Sequence, residues 1–369
     1  MKRMLAFAAI VLFLAGSAFA EEAVLIDFGK LKADIIPETD AQGNATEKMT
    51  QNRQTMMDYA NVAGTAFKPE DLDVMKTSLA IANWDIVLAP SSRNVTNLVL
   101  SKAAEAVSKR GVSPWAEENS TVLGIRVHFP VEPWNSWAVV KPPFDIPAYE
   151  PQAEIGDDGV ITEKEGEDGI TQSSRFEGEL DDNGKPLHGY GVVKNVGTLK
   201  SVAVWVYGLN FPHGLFTILV DNQGNEKEVF MGYLQFDGWG QLIWNNPAYV
   251  QEVRNRDLRL YPLYPTSTPF IKFGGFRVQR DAAKEGGDFI TYFKNVEIIY
   301  DKAVLDTDRD IDDEGLWRII YDRETEKKRW EMQQFGHSQV MRYIDRQKQA
   351  TEPAFGSRER RDREQEQQE

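Results

Sequence analysis

Leu215-Phe216-Thr217-Ile218-Leu219-Val220-Asp221 and Glu228-Val229-Phe230-Met231-Gly232-Tyr233-Leu234 are two β-branched and aromatic runs separated by the turn formers Asn222-Gln223-Gly224-Asn225. Such a pairing reads as a β-hairpin, because Gly and Asn accept the backbone angles of a tight reversal and the flanking residues fit a pleated surface. The same grammar extends outward. Ser201 to Leu209 precedes the hairpin as another strand, and Asp288 to Tyr300 supplies a late one, Phe289 to Phe293 and then Val296 to Tyr300. Upstream, Leu123, Ile125, Val127 and Phe129 line one face of Val122 to Phe129 while Arg126 and His128 line the other. Ala82, Trp84, Ile86 and Leu88 alternate in the same way. Period-two alternation marks half-buried strands, and many short strands punctuated by Gly, Pro and Asn predict a mainly β sandwich or barrel. Helix is a minority expectation, at Lys102 to Lys109 and at Met49 to Ala60.

The 369 residues, 41% of them hydrophobic, are ample for a buried core. With no cysteine there is no disulfide, thiol chemistry or thiolate metal site. The four histidines, at 128, 188, 213 and 337, are too far apart for the helical His pair of a zinc protease. A net charge of −15 is the wrong sign for a nucleic-acid binder, which needs a basic surface to release counterions from phosphate.

The first twenty residues have the layout of a secretory leader. Lys2 and Arg3 are the positive region, Met4 to Ala15 the apolar run, and Ala18-Phe19-Ala20 the small residues before cleavage between Ala20 and Glu21. The run is too short to span a bilayer, and no later stretch approaches that length, so the product is expected outside the cytoplasm and not as an integral membrane protein. Without Lys2 and Arg3 the chain carries 40 basic against 57 acidic residues.

Three regions follow: a leader, 1–20; a body, 21–322; and a mixed-charge tail, 323–369. Within the body, Glu150 to Asp182 holds twelve acids against Lys164 and Arg175 and reads as an exposed loop or insertion. The tail has eleven basic and ten acidic residues, so the acidic surplus lies wholly in the body. Val340, Tyr343 and Ile344 have helical spacing in the tail, whereas Ser357 to Glu369 has no apolar residue and is expected to be disordered.

Catalytic signatures are missing. Neither a Gly-x-Ser-x-Gly elbow nor a phosphate-binding Gly-x-x-x-x-Gly-Lys loop occurs, and nothing calls for a cofactor. The run Asp306 to Gly315 imitates a calcium loop when counted from Asp310, but its twelfth position is Tyr321 where a bidentate glutamate belongs. It reads as solvated acids favouring the start of the next helix. Aromatics carry more information. Trp134 and Trp137, in Pro133-Trp134-Asn135-Ser136-Trp137, and Trp239, in Asp237-Gly238-Trp239-Gly240, sit in polar, Gly- or Pro-rich settings. There an indole can stack on a sugar or anchor an interface, or else cap the core. Trp84 and Trp205, inside alternating strands, are expected in the core. His213, in Phe211-Pro212-His213-Gly214, is expected at a surface turn.

Four blocks together carry a family resemblance: Glu22-Ala23-Val24-Leu25-Ile26-Asp27-Phe28; Val204 to His213 with the following hairpin; Gly232-Tyr233-Leu234-Gln235-Phe236-Asp237-Gly238-Trp239; and Phe293-Lys294-Asn295-Val296-Glu297-Ile298. In this order, behind a leader, they resemble the spirochaete flagellar filament outer-layer (sheath) proteins, especially treponemal members. The resemblance implies a jelly-roll-like β-sandwich similar to carbohydrate-binding modules. It also implies a non-enzymatic subunit of the periplasmic flagellum that coats a flagellin core and contributes to filament stiffness, shape and motility. Core flagellins and other sheath subunits are the implied partners, with a glycan on flagellin as a further candidate and no catalytic residue to assign. The alternative left open by the exposed tryptophans is a soluble periplasmic carbohydrate-binding module.

Overall fold

The computed structural model describes residues 21–31, 35–39, 45–51, 56–58, 76–111, 118–148, 153–155, 161–163, 189–247, 249, 269–302 and 319–351. In chain order the strands are β1 (Glu21–Asp27), β2 (Ile35–Thr39), β3 (Ala45–Gln51), β4 (Met56–Asp58), β5 (Lys76–Ser78), β6 (Asp85–Leu88), β7 (Lys102–Ser108), β8 (Ser120–Phe129) and β9 (Ser136–Lys141). They continue as β10 (Ala153–Ile155), β11 (Ile161–Glu163), β12 (Val192–Lys194), β13 (Val196–Leu209), β14 (Gly214–Val220), β15 (Glu226–Tyr233), β16 (Asp237–Asn245), β17 (Phe270–Arg280) and β18 (Gly287–Lys302). Two α-helices are described, α1 (Val95–Leu100) and α2 (Ile319–Thr351).

Two six-stranded antiparallel sheets make the sandwich. The first runs β16-β13-β18-β8-β7 and the second β15-β14-β17-β9-β6. Each has one long strand flanked on one side by two shorter ones laid end to end. β18 pairs with β8 through Gly287–Phe293 and with β1 through Asn295–Tyr300. β17 pairs with β12 through Phe270–Lys272 and with β9 through Phe276–Arg280. A single core lies between the sheets, where Phe276 stacks on Phe293 at 4.1 Å and Phe28 meets Trp84 at 5.4 Å and Phe273 at 6.4 Å. The chain is therefore a mainly β sandwich, one of the two forms that the alternation predicts, and jelly-roll-like as the resemblance implies.

The opening hairpin is β14–β15, and its turn is built as the residue types require. The Asp221 carboxylate accepts from the Gln223 and Asn225 amides, both at 2.8 Å, and Gly224 supplies the positive φ of 83°. In β8 the residues Leu123, Ile125, Val127 and Phe129 are fully buried. Trp84 is a core residue as expected, its Nε1 donating to the Leu79 carbonyl at 2.9 Å.

Several expectations are corrected. Lys102 to Lys109 is not a helix: Lys102–Ser108 is edge strand β7, paired along β8. Its alanines favour helix in isolation, but the ladder offered by β8 outweighs that small intrinsic preference. In the Met49 to Ala60 candidate, Met49–Gln51 ends β3 and Met56–Asp58 is β4; the remainder lies outside the described residues. Glu150 to Asp182 is expected as an exposed loop or insertion, and its described pieces, β10 and β11, form a short antiparallel ribbon. Helix α1 was not expected; Asn94 caps it, with Oδ1 accepting from the Asn97 amide at 2.7 Å. The tail helix is a single run of 33 residues. The leader, the run 306–315 and the end of the tail lie outside the described residues.

Candidate interface surfaces on the two sheets

Strand β13 shows how the first sheet acquires an aromatic outer face. Val202, Val204 and Val206 point into the core with no exposed surface, so Ala203, Trp205 and Tyr207 point outward. Trp205 is thus half-buried on the outside and not a core residue as expected. The run Val202 to Tyr207 is apolar at both parities, and alternation alone does not say which parity faces inward. The neighbouring strands bring matching residues into register. Trp239 on β16 lies opposite Tyr207, and Tyr292 on β18 lies opposite it on the other side. The rings meet edge to face at 5.3 Å and 5.9 Å. Tyr292 leans over Gly124 of β8, where a Cβ would come within 3.1 Å of the ring.

Glycine also sets the direction of Trp239. Gly238 has φ 92°, and Gly240 makes room on the inner side for Phe236, whose ring atom would stand 2.9 Å from an added Cβ. Trp239 is left on the outer face. Beside it, the Glu297 carboxylate accepts from Asn295 Nδ2 at 2.8 Å and Gln241 Nε2 at 3.3 Å. Burial raises the Glu297 pKa above the ordinary carboxylate value, and the charges of Glu22 and Asp27 raise it further. This half of the face has a negative field. Toward β8 the face ends in Asp288, which binds Arg126 at 2.7 Å and His128 at 2.8 Å.

The second sheet has a different outer face. Trp137 of β9 and Phe216 of β14 flank the Arg277 guanidinium at 5.9 Å and 5.2 Å, and Arg277 pairs with Glu228. Phe216 continues into Phe230 at 5.0 Å, and Phe230 into Tyr233 at 5.4 Å. At the other end α2 is strapped to this sheet. The Glu331 carboxylate accepts from Lys272 Nζ at 2.8 Å and the Ala148 amide at 2.9 Å, while Arg342 donates to Asp85 at 2.9 Å.

The four residues singled out in the sequence therefore do not form one site. Trp239 belongs to the first outer face and Trp137 to the second. Trp134 is 44% exposed on the loop between β8 and β9. That loop is held by wholly buried Arg280, which donates to the carbonyls of Pro130, Glu132 and Trp134. His213 is not a surface histidine. It is only 3% exposed, stacked on Phe289 at 4.9 Å and beside Phe129 at 5.2 Å and Phe211 at 5.8 Å. Burial, with the positive charge of Arg280, pushes its pKa down to about 4. Sequence reading missed Tyr207, Tyr292 and Arg277, whose partners are set by strand register. Among the described residues no group of three or more His, Asp or Glu could hold a metal, and no helix is long and apolar enough to cross a membrane.

Each sheet of the sandwich thus presents aromatic side chains on its outer face. The model for the flagellar filament outer layer protein FlaA matches residues 48–309, and the chain belongs to that family. Its relatives include the flagellar filament outer layer protein of Treponema pallidum (strain Nichols), 48% identical over 96% of both chains. The Spirochaeta aurantia protein of the same name is 42% identical over 96% of this chain and 95% of its own. That of Borreliella burgdorferi is 31% identical over 73% and 69%. Among solved structures, TmCBM61 in complex with β-1,4-galactotriose is 8% identical, covers 60% of this chain and 90% of its own, and has a TM-score of 0.25. The C-terminal family 22 carbohydrate binding module of Clostridium thermocellum Xyn10B is 12% identical over 61% and 89%, at 0.21. Likeness at that level says nothing about ligands.

Proposed function

We propose that this chain is a structural outer-layer subunit of a periplasmic flagellar filament, laid over a core of flagellins beside other sheath subunits. The observation that carries the reading is the 48% identity to the Treponema pallidum outer layer protein across 96% of both chains. The chain is organised as a leader, 1–20, removed after Ala20; a sandwich body, 21–322; and a tail, 323–369. It contributes rigidity and contact surface and catalyses nothing. A subunit tiling a cylinder needs several modest interfaces on a stiff frame, and two aromatic outer faces on a packed sandwich suit that need. The acidic body complements basic surface on the core.

Imaging filaments from a strain lacking this chain tests the proposal. Thinner filaments with altered curvature are expected, and filaments of unchanged diameter and curvature would refute it. A glycan carried by flagellin is a second candidate partner, since Trp239 and Trp137 each present an aromatic ring beside polar groups that could stack on a sugar. Micromolar binding on a glycan array that disappears in Trp239→Ala would support it, and no binding would remove it.

A further inference from the structure

The edges of the two sheets are of unequal kind. On the second sheet β6 has four residues and β12 three, and β15 begins with three charges, Glu226, Lys227 and Glu228. On the first, β7 carries Lys102 and Glu105, and β1 bonds onward to Gly189 and Gly191. Charge, shortness and cover are how sheets keep their edges from pairing with other chains. Strand β16 is the exception. It runs for nine residues in unbroken register with β13, and after Asp237 it has no charge and no proline. Its other side pairs with no strand among the described residues.

The register tells which backbone groups are free. The Asn246 amide donates to the Lys200 carbonyl and the Asn210 amide to the Phe236 carbonyl, so the even-numbered residues of β16 bond to β13. The odd ones, Asp237, Trp239, Gln241, Ile243 and Asn245, turn N–H and C=O to the open side. None of these five has a backbone partner there among the described residues. The core is open at the same place. Val202, Val204 and Val206 of β13 have no exposed surface, whereas Leu242 and Trp244 beside them are only half-buried.

A segment that covers this edge must be extended, offer free backbone groups at alternate positions, and carry apolar or small side chains at the positions between. Strand β16 of a second copy meets all three conditions. Laid antiparallel about Gln241, it sets Gln241 against Gln241, Trp239 against Ile243 and Asp237 against Asn245. Every free N–H of one edge then meets a free C=O of the other. On the inner side Leu242 falls opposite Gly240, against the Phe236 ring that fills the space there, and Trp244 opposite Gly238. Large thus meets small in both copies. On the outer side Ile243, 52% exposed, comes under Trp239. The same arrangement at β7 would set Glu105 against Glu105, which like charges oppose.

We propose that two copies of this chain pair through β16, joining their first sheets into one continuous sheet. The contact is isologous and closes at two, leaving the outer face of the second sheet for other contacts. The inference deepens the outer-layer reading by naming a second copy of the chain as one partner, and it rests on that reading for its setting.

Sedimentation of the purified protein should show a concentration-dependent dimer. Gln241→Lys and Gln241→Glu each set like charges against one another across the axis, and each should weaken association by about fivefold. Mixing the two variants should restore it, with circular dichroism unchanged throughout. The chain has no cysteine, so Gln241→Cys should oxidise to a linked dimer, the two Cα atoms of such a pair lying about 5.5 Å apart. Asn245→Cys should link only when mixed with Asp237→Cys. A protein that stays monomeric at every concentration tried overturns the proposal, whether the chain itself or another sheath protein covers the edge. So does a dimer that Gln241→Lys leaves unweakened, or Asn245→Cys linking to itself as readily as Gln241→Cys. Any of these, with filaments still thinned in the deletion strain, leaves the outer-layer reading standing.

Discussion

The two outer faces of the sandwich start from the same material and end differently. On the first sheet, Trp239, Tyr207 and Tyr292 stand in register across three strands with nothing described above them. On the second, Trp137 and Phe216 are held around Arg277, and the far end lies under a helix attached by two ion pairs. Ring-on-ring packing fixes the first surface without covering it. Ion pairs from Glu331 and Arg342 fasten the helix to the second at discrete points. Among the described residues the first surface is uncovered, and the second carries a helix at one end.

The largest expected effect falls on the core that both faces share. His213 is neutral when folded down to about pH 4, whereas its unfolded counterpart takes up a proton near 6.5. Its folded pKa is the lower one, so stability is complete above about pH 6.5 and falls as the pH drops toward 4. The loss amounts to about 3 kcal/mol, at 1.36 kcal/mol per unit. Urea titrations at pH 7 and pH 4 measure it, and His213→Phe should flatten the difference. If tryptophan fluorescence and helix content fell at different pH values, the two faces would not share one cooperative core.

Next come the two sides of β13. Val204→Ala should cost about 2 kcal/mol through lost burial and a cavity. Trp205→Ala, from the outer side, should cost about 1 kcal/mol despite deleting far more atoms. The inverse order in urea unfolding would place the core on the wrong side of the sheet. Glu331→Ala should cost about 1 kcal/mol. That loss should show as faster amide exchange along α2 with the body unchanged, because it leaves half-buried Lys272 and the Ala148 amide without their partner. Faster exchange throughout the body as well would mean that the helix is part of the core. The smallest effect belongs to Asp288→Asn. That exposed pair with Arg126 should leave the urea midpoint where it is.

Strand alternation made the sandwich legible. β8 and the β14–β15 hairpin show one wholly apolar parity and turn residues in the right places. β7 was misread because Ala103, Ala104 and Ala106 carry no β signal; β8 supplies it through pairing. Trp205 was misread because both parities of β13 are apolar. His213 was misread because Pro and Gly beside it mark a turn, and whether a turn is covered depends on Phe129 and Phe289, 84 and 76 positions away. Trp239, which the sequence leaves open between core and surface, is turned to the outer face by its glycines. Its companions Tyr207 and Tyr292 depend on register across strands, which local pattern does not encode.

Strand β1 has a consequence for the order in which this molecule comes into being. Glu21 opens the strand and accepts from the Tyr300 hydroxyl, a partner 279 residues further along. Leu25, Ile26 and Phe28 from the same stretch are fully buried. In a chain delivered N-terminus first, the earliest segment to arrive is thus among the last to find its place. It must wait, unpaired and apolar, until β18 emerges. Closing a loop of that length costs little more than closing one half as long, so the delay is one of timing and not of stability. The first sheet is sealed only once β18 has been made, so the N-terminal strand is among the last parts of it to be fixed.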